Sequence, residues 1–241
     1  MVDQSLAFEK PLSTVDVVIF TVLDAELQVL LVQRHAHPRD PFPGQWALPG
    51  GFIDTTRDRD LAACALRKLR EKTSVEAPYL EQLGSWGSAT RDPRGWSATH
   101  VYFALIPASD LDLTPGGNAA DSRWFRIHGD RVRQALAFDH AILLQAAISR
   151  LRAKVEYTSL PAFLMPDEFT LTELQHTYET LLARELEKKA FRTRLLAADL
   201  LEPVPRMKSG ANRPAQLYRL KYRDQPHLFS RPFGSAHAPQ A

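Results

Sequence analysis

The double glycine Gly50-Gly51 follows the short apolar run Trp46-Ala47-Leu48-Pro49 and opens a polar loop, after which a helix is predicted from near Asp60 to about Thr73. Adjacent glycines suit a tight turn or a close approach of backbone to a ligand. Asp60 is placed to cap the helix by accepting from its first orphan amides. Leu61, Cys64, Ala65 and Leu69 recur at helical spacing as an apolar stripe made to lie on a sheet, while Arg67, Lys68, Glu71 and Lys72 share a polar band. Chemistry carried by this helix belongs in that band.

The segments around it read as strands. Val15 to Leu23 is rich in β-branched residues, Asp24-Ala25-Glu26 makes a turn, and Leu27 to Arg34 is the hairpin partner. Tyr79 to Trp86, Ala98 to Ile106 and Asp121 to Phe125 have strand composition, and Asp139 is predicted to cap a helix reaching about Arg152 with Ile142, Leu143, Ala146, Ile148 and Leu151 inward. Strands, a crossing helix and more strands predict a mixed α/β sandwich.

Beyond Val155 the pattern changes. Residues 154–166 lack periodicity and contain Pro161 and Pro166, so a linker is expected there. Thr170 and Glu173 have capping-box spacing and open a helix with Leu171, Leu174, Tyr178 and Leu181 on one face. A second helix, Glu187 to about Leu200, places Phe191, Leu195 and Leu196 inward and its basic residues outward. Glu202 to Lys208 and Gln216 to Lys221 read as a hairpin around Ser209 to Pro214. Helix, turn, basic helix and basic hairpin is the order of a winged helix-turn-helix.

Charge supports that division. From Glu187 to Arg223 there are ten Lys or Arg against three acids, a net +7 that leaves −5 for the rest of a chain of formal charge +2. Such asymmetry is expected when one module meets a polyanion. The single cysteine, Cys64, excludes an intramolecular disulfide framework and fits a reducing compartment. No apolar run approaches transmembrane length and the amino terminus lacks an export pattern, so a cytoplasmic location without membrane association is expected.

Gly51 with Arg67-Lys68-Leu69-Arg70-Glu71-Lys72-Thr73-Ser74-Val75 resembles a Nudix box in degraded form. In that family glutamates on the helix hold divalent cations against a diphosphate. Here Lys68, Glu71 and Lys72 stand at those positions, Arg59 replaces the earlier glutamate and Ser74 the closing glycine. Ammonium groups beside Glu71 would repel a cation by on the order of a few kcal/mol at intermediate dielectric. Loss of diphosphate hydrolysis is expected, with no catalytic residue, metal set or cofactor. An active hydrolase of ADP-ribose-like diphosphates, joined to an interaction domain, is the alternative.

The degenerate box, Arg91-Asp92-Pro93-Arg94-Gly95, Ala137-Phe138-Asp139-His140, Phe169 to Gln175, Phe191-Arg192 and Leu217-Tyr218-Arg219 occur in one order and together resemble the NrtR family of Nudix-related transcriptional regulators. The resemblance implies a Nudix-like α/β/α sandwich followed by a winged helix-turn-helix. It also implies a homodimer on a roughly palindromic double-stranded DNA operator, and repression of NAD-biosynthesis genes relieved by ADP-ribose; some members answer to sugar-derived ligands instead.

The domains expected are residues 1–153 for the effector, 154–166 as linker, 167–225 for DNA and 226–241 as a loose tail. Arg34, Arg91 and Arg94 are candidate phosphate partners, because guanidinium forks match phosphate oxygens. Phe52 and Trp96 are candidate stacking surfaces. Candidate DNA contacts are Thr172 and Gln175 at the start of the first helix, Lys188, Lys189, Arg192 and Arg194 on the second, and Lys208 and Arg213 in the wing. His140 is a candidate pocket residue, but its place in a helix's first turn favours a structural role.

Overall fold

A computed structural model describes residues 10–35, 40–75, 77–111, 122–209 and 214–233. The central strand β1 (Leu12–Leu23) turns back into β2 (Glu26–Gln33) and lies parallel to β6 (Ser97–Leu105), which pairs antiparallel with β5 (Tyr79–Ser88). Three short strands complete this sheet: β3 (Trp46–Ala47) and β7 (Ser122–Arg126) beside β2, and β4 (Gly50–Phe52) beside β1.

Successive side chains of a strand point to opposite faces, and β1 uses both. Val15, Val17 and Ile19 meet Cys64, Ala65 and Leu69 of helix α1 (Leu61–Thr73), the stripe read from the sequence. Val18 and Phe20 meet helix α2 (His140–Val155) on the other side. Helices on both faces bury the middle of the sheet, which is why β1 is nearly all apolar there, while the outer strand β5 stays partly exposed. Asp60 caps α1 as expected, its side chain accepting from the Ala63 N–H. In α2 the buried stripe is Leu143, Leu144, Ala147, Ile148 and Leu151; the predicted Ile142 is instead 59% exposed, one position out of phase with the sheet.

The carboxy-terminal part is a winged helix. Helix α3 (Leu171–Leu182) has the full capping box, with Thr170 Oγ1 accepting from the Glu173 N–H at 3.2 Å and Glu173 Oε2 from the Thr170 N–H at 2.8 Å. Helix α4 (Lys188–Ala197) is capped by Glu187. Behind them β9 (Leu201–Lys208) and β10 (Ala215–Leu220) form the hairpin, and a strand missed in the sequence, β8 (Phe169–Thr170), adds to β10. Two residues carry too little alternation to announce a strand.

The segment expected as a linker is interior. Leu160–Leu164 forms a 3-10 helix whose five residues are all buried, and the core under α2 runs through it without interruption into α3 and α4. Its apolar run has no period because it is buried on every side. The tail is likewise packed as far as Phe233: the Phe229 N–H donates to the Tyr157 carbonyl at 2.8 Å and the Phe233 N–H to that of Glu156 at 2.7 Å. The rest of the expected tail lies outside the described residues.

Candidate functional site

Two sites emerge, one in each part. The first is a cavity of about 220 Å³ bounded by β1, β2, β4, the turn after β5 and the start of α2. Arg34, Phe52, Arg91 and Arg94, four of the five candidates for the effector, line it. Trp96 is half-exposed outside this lining. Phe138, part of the Ala137-Phe138-Asp139-His140 motif but not among the residues expected at the effector, lines the cavity in its place, under the Arg34 guanidinium at 4.8 Å from its centroid. Its backbone is left-handed, φ 54°, which turns the chain into α2.

The arginines differ in what they can offer a ligand. Arg91 is spent inside the protein: it forks onto Asp139 at 2.8 and 2.9 Å, donates to Ser97 Oγ at 3.2 Å, and its side chain is 6% exposed. The expected phosphate partner is thus a strut, and Asp139, expected as a helix cap, makes no capping bond because its carboxylate holds that strut. Arg94 forks onto Asp92 at 2.7 and 3.0 Å and sits over the Phe52 ring at 5.1 Å, yet remains 36% exposed at its side chain. Burial works to raise the Asp92 carboxyl, and the Arg94 fork and backbone N–H more than offset it, so it lies below the usual carboxylate range. Arg34 donates through Nε to the Pro41 carbonyl at 2.8 Å.

The floor holds two polar groups not among the residues expected at the effector. Asp16 is the charged residue on the α2-facing side of β1, in line with Val18 and Phe20, and is 5% exposed. Thr99 Oγ1 donates to its Oδ2 at 2.7 Å, and a Cβ on Gly50 would stand 2.0 Å from Oδ1, so only glycine fits above it. His140, read as structural, lines the same floor. Its Nδ1 accepts from the Leu48 N–H at 2.9 Å, and burial pushes the imidazole below its ordinary pKa. A neutral ring with Nδ1 occupied as acceptor carries its proton on Nε2.

On α1, Glu71 accepts from Arg67 at 3.0 Å and has Lys68 at 3.9 Å. Among the described residues no three His, Cys, Asp or Glu stand together as a metal set. One carboxylate already engaged by two cations does not fit the divalent ion of the Nudix fold. The missed partner here is Asp58, from the extended loop after Gly51. Arg67 donates to both its oxygens at 2.6 and 2.7 Å, its side chain is 1% exposed, and the fork holds the carboxyl well below the usual range. The unfolded chain takes up a proton near pH ~4 that folded Asp58 refuses, so this stabilisation is complete above that pH and lost as pH falls. Urea midpoints measured from about pH 6 downward are expected to drop on this acid limb, and Asp58→Asn to flatten it.

The second site is a groove of about 770 Å³ between the start of α3, the outer side of α4 and the wing. Thr172, Lys188, Arg192 and Lys208 line it, and Arg192 Nη2 donates to Thr172 Oγ1 at 3.2 Å. Lys189 is exposed on α4 outside this lining, and Arg213 lies outside the described residues. Two expected contacts are corrected. Gln175 is 7% exposed and donates to Glu179 Oε1 at 2.9 Å and the Leu186 carbonyl at 3.0 Å, so it fastens the turn between the helices. Arg194 is on the reverse side of α4, 4.4 Å from the Phe233 ring centroid. Helical phase explains the split: a side chain two positions from Arg192 points the other way. The wing cations are held by acids, Lys208 by Glu173, and Arg206 and Arg219 by Glu168 at 2.6 and 3.2 Å.

The sequence matches the NUDIX domain family over residues 12–145 and the NrtR DNA-binding winged helix domain over residues 161–220. It is 47% identical over 228 residues to an ADPR responsive transcriptional repressor of Acinetobacter baylyi, covering 95% of this chain and 89% of that one. The structure superposes on Shewanella oneidensis NrtR complexed with a 27mer DNA at TM-score 0.84 and 43% identity, over 92% of this chain and 99% of the other. The NUDIX domain of that Shewanella protein complexed with ADP ribose matches at TM-score 0.52 and 47% identity, over 60% of this chain and 91% of that one.

Proposed function

The chain belongs to the NrtR family, a Nudix domain joined to a winged helix, and on that premise we propose that it is a transcriptional repressor of NAD-metabolism genes that leaves its operator when it binds ADP-ribose. The observation that carries the reading is a cationic groove and an arginine-lined cavity in one chain, with an unbroken apolar core between α2 and α3. A core packed across the junction has few ways to yield, so a shift at the cavity is transmitted by repacking.

In this reading Arg34 and Arg94 meet the diphosphate at the cavity mouth and Phe52 offers a stacking face. Thr172, Lys188, Arg192 and Lys208 face the DNA, with Lys189 and Arg213 on the flanking phosphates. The protein acts in the cytoplasm as a homodimer, each copy taking half of a roughly palindromic operator. ADP-ribose shifts occupancy only to the extent that it favours the DNA-free arrangement, a coupling on the order of 1–3 kcal/mol. Gel shifts on an operator selected from a random duplex library are expected to weaken by about 5- to 150-fold at saturating ADP-ribose. Operator binding indifferent to ADP-ribose sinks the effector assignment.

The same helix argues against turnover. Glu71 lies between Arg67 and Lys68, and neutralised carboxylates do not gather the hard cation that diphosphate cleavage uses. Purified protein incubated with ADP-ribose and Mg²⁺ is expected to release no AMP above the uncatalysed background. A metal-dependent rate that disappears in Glu71→Gln would restore the hydrolase alternative.

A further inference from the structure

The cavity is smaller than the ~300 Å³ at which sites for whole drug-sized ligands begin, so it encloses one end of a dinucleotide-like molecule. Its floor presents one acceptor and one donor side by side. Asp16 Oδ2 is taken by Thr99, which leaves Oδ1, and the His140 Nε2 that carries the ring proton stands 3.8 Å from it. That separation is too long for a hydrogen bond between them, so each is open to a third group. Both side chains retain slight exposure, 7% for Asp16 and 6% for His140, and both line the cavity. Arg91 Nη2 stands 4.0 Å from Asp16 Oδ2 but is already forked onto Asp139, so the Asp16 carboxylate still disfavours a phosphate at the floor. Above it are two aromatic faces, Phe52 and Phe138, each backed by a guanidinium, an environment for a flat ring.

We infer that this floor reads the 6-amino edge of an adenine ring, Asp16 Oδ1 accepting from the amino group and His140 Nε2–H donating to the adjacent ring nitrogen. The inference rests on the reading of the cavity as the ADP-ribose site, and it makes Asp16 and His140 the residues that select the base. Hypoxanthine is the discriminating probe, because it puts a carbonyl oxygen where adenine has its amino group. That oxygen would face the Asp16 carboxylate, two acceptors with no proton between them. An unpaired buried acceptor costs on the order of 1–3 kcal/mol, about 5- to 150-fold in affinity.

Calorimetric titration of the full chain with ADP-ribose and with inosine diphosphate ribose tests this. The wild type is expected to bind ADP-ribose at least about 5-fold more tightly. Asp16→Asn keeps an oxygen for Thr99 and turns an amide N–H₂ toward the cavity, so its preference is expected to shrink or reverse. Equal wild-type affinities overturn the inference while leaving the effector reading intact; a ribose diol seated on the floor would give that result. A preference retained in full by Asp16→Asn also overturns it. If Asp16→Asn does not fold, the wild-type ratio still decides between adenine reading and none. Binding of neither nucleotide overturns the effector reading, and this inference with it.

Discussion

Replacing Phe233 with alanine is expected to cost about 3 kcal/mol of stability, the low end for a buried Phe→Ala change because a chain end relaxes more readily than a core helix. The ring is 5% exposed, with centroids 4.9 Å from Tyr178 and 5.8 Å from Phe191, and lies under the Arg194 guanidinium. Its carbonyl accepts from Arg184 Nη2 at 2.7 Å. These contacts close the back of the helix pair whose front makes the groove, so the loss falls on the orientation of α4 as well as on the global core. Denaturant unfolding should show the change, and a melting temperature lower by about 6–12 °C is expected for a domain of this size. A loss below about 1 kcal/mol would mean that the segment after Pro226 only rests on the surface, as its composition suggests.

Arg192→Ala is expected to weaken operator binding by about 10- to 100-fold and to relax sequence preference at one position of each half-site. Arg192 is placed on the groove side of α4, steadied by Thr172, and its Nε is buried without a hydrogen-bond partner. Because that Nε is buried, contact of this guanidinium with a base edge runs through its terminal nitrogens, on the side held by Thr172. Lys189, exposed and outside the groove lining, is expected to act differently: its loss weakens all sequences alike and lowers the salt slope by about one. Quantitative binding across a mismatch series and a salt series separates the two. If Arg192→Ala weakens every sequence equally, its contact is with phosphate.

Much of this was legible in the chain because periodicity reports burial. The long strands of the sheet follow from runs of β-branched and apolar residues, and the α1 stripe and the capping box from helical spacing, all of which local sequence records directly. Legibility failed where a partner is distant in sequence. Arg91 looks like a free phosphate ligand until Asp139, forty-eight residues away, is found on it. Gln175 looks like a helix-start contact until the Leu186 carbonyl takes it. Residues 160–165 look like a linker because a segment buried on all sides shows no period.

The sequence by itself determined the order of the two modules, the family resemblance, the basic character of the second module and the loss of the metal-binding carboxylates, since each depends only on which residues occur and in what order. Tertiary structure alone decided which cations are available and which are struts, that Phe138 rather than Trp96 faces the cavity, and that Asp16 and His140 share its floor. It also decided that Gly50 and Gly51 lie in a strand beside β1 and that Gly50 serves to make room, as no side chain fits there above Asp16. The physical reason is the same in each case: hydrogen bonds and charge pairs saturate, and which partner saturates a group is fixed by folding, not by neighbours along the chain.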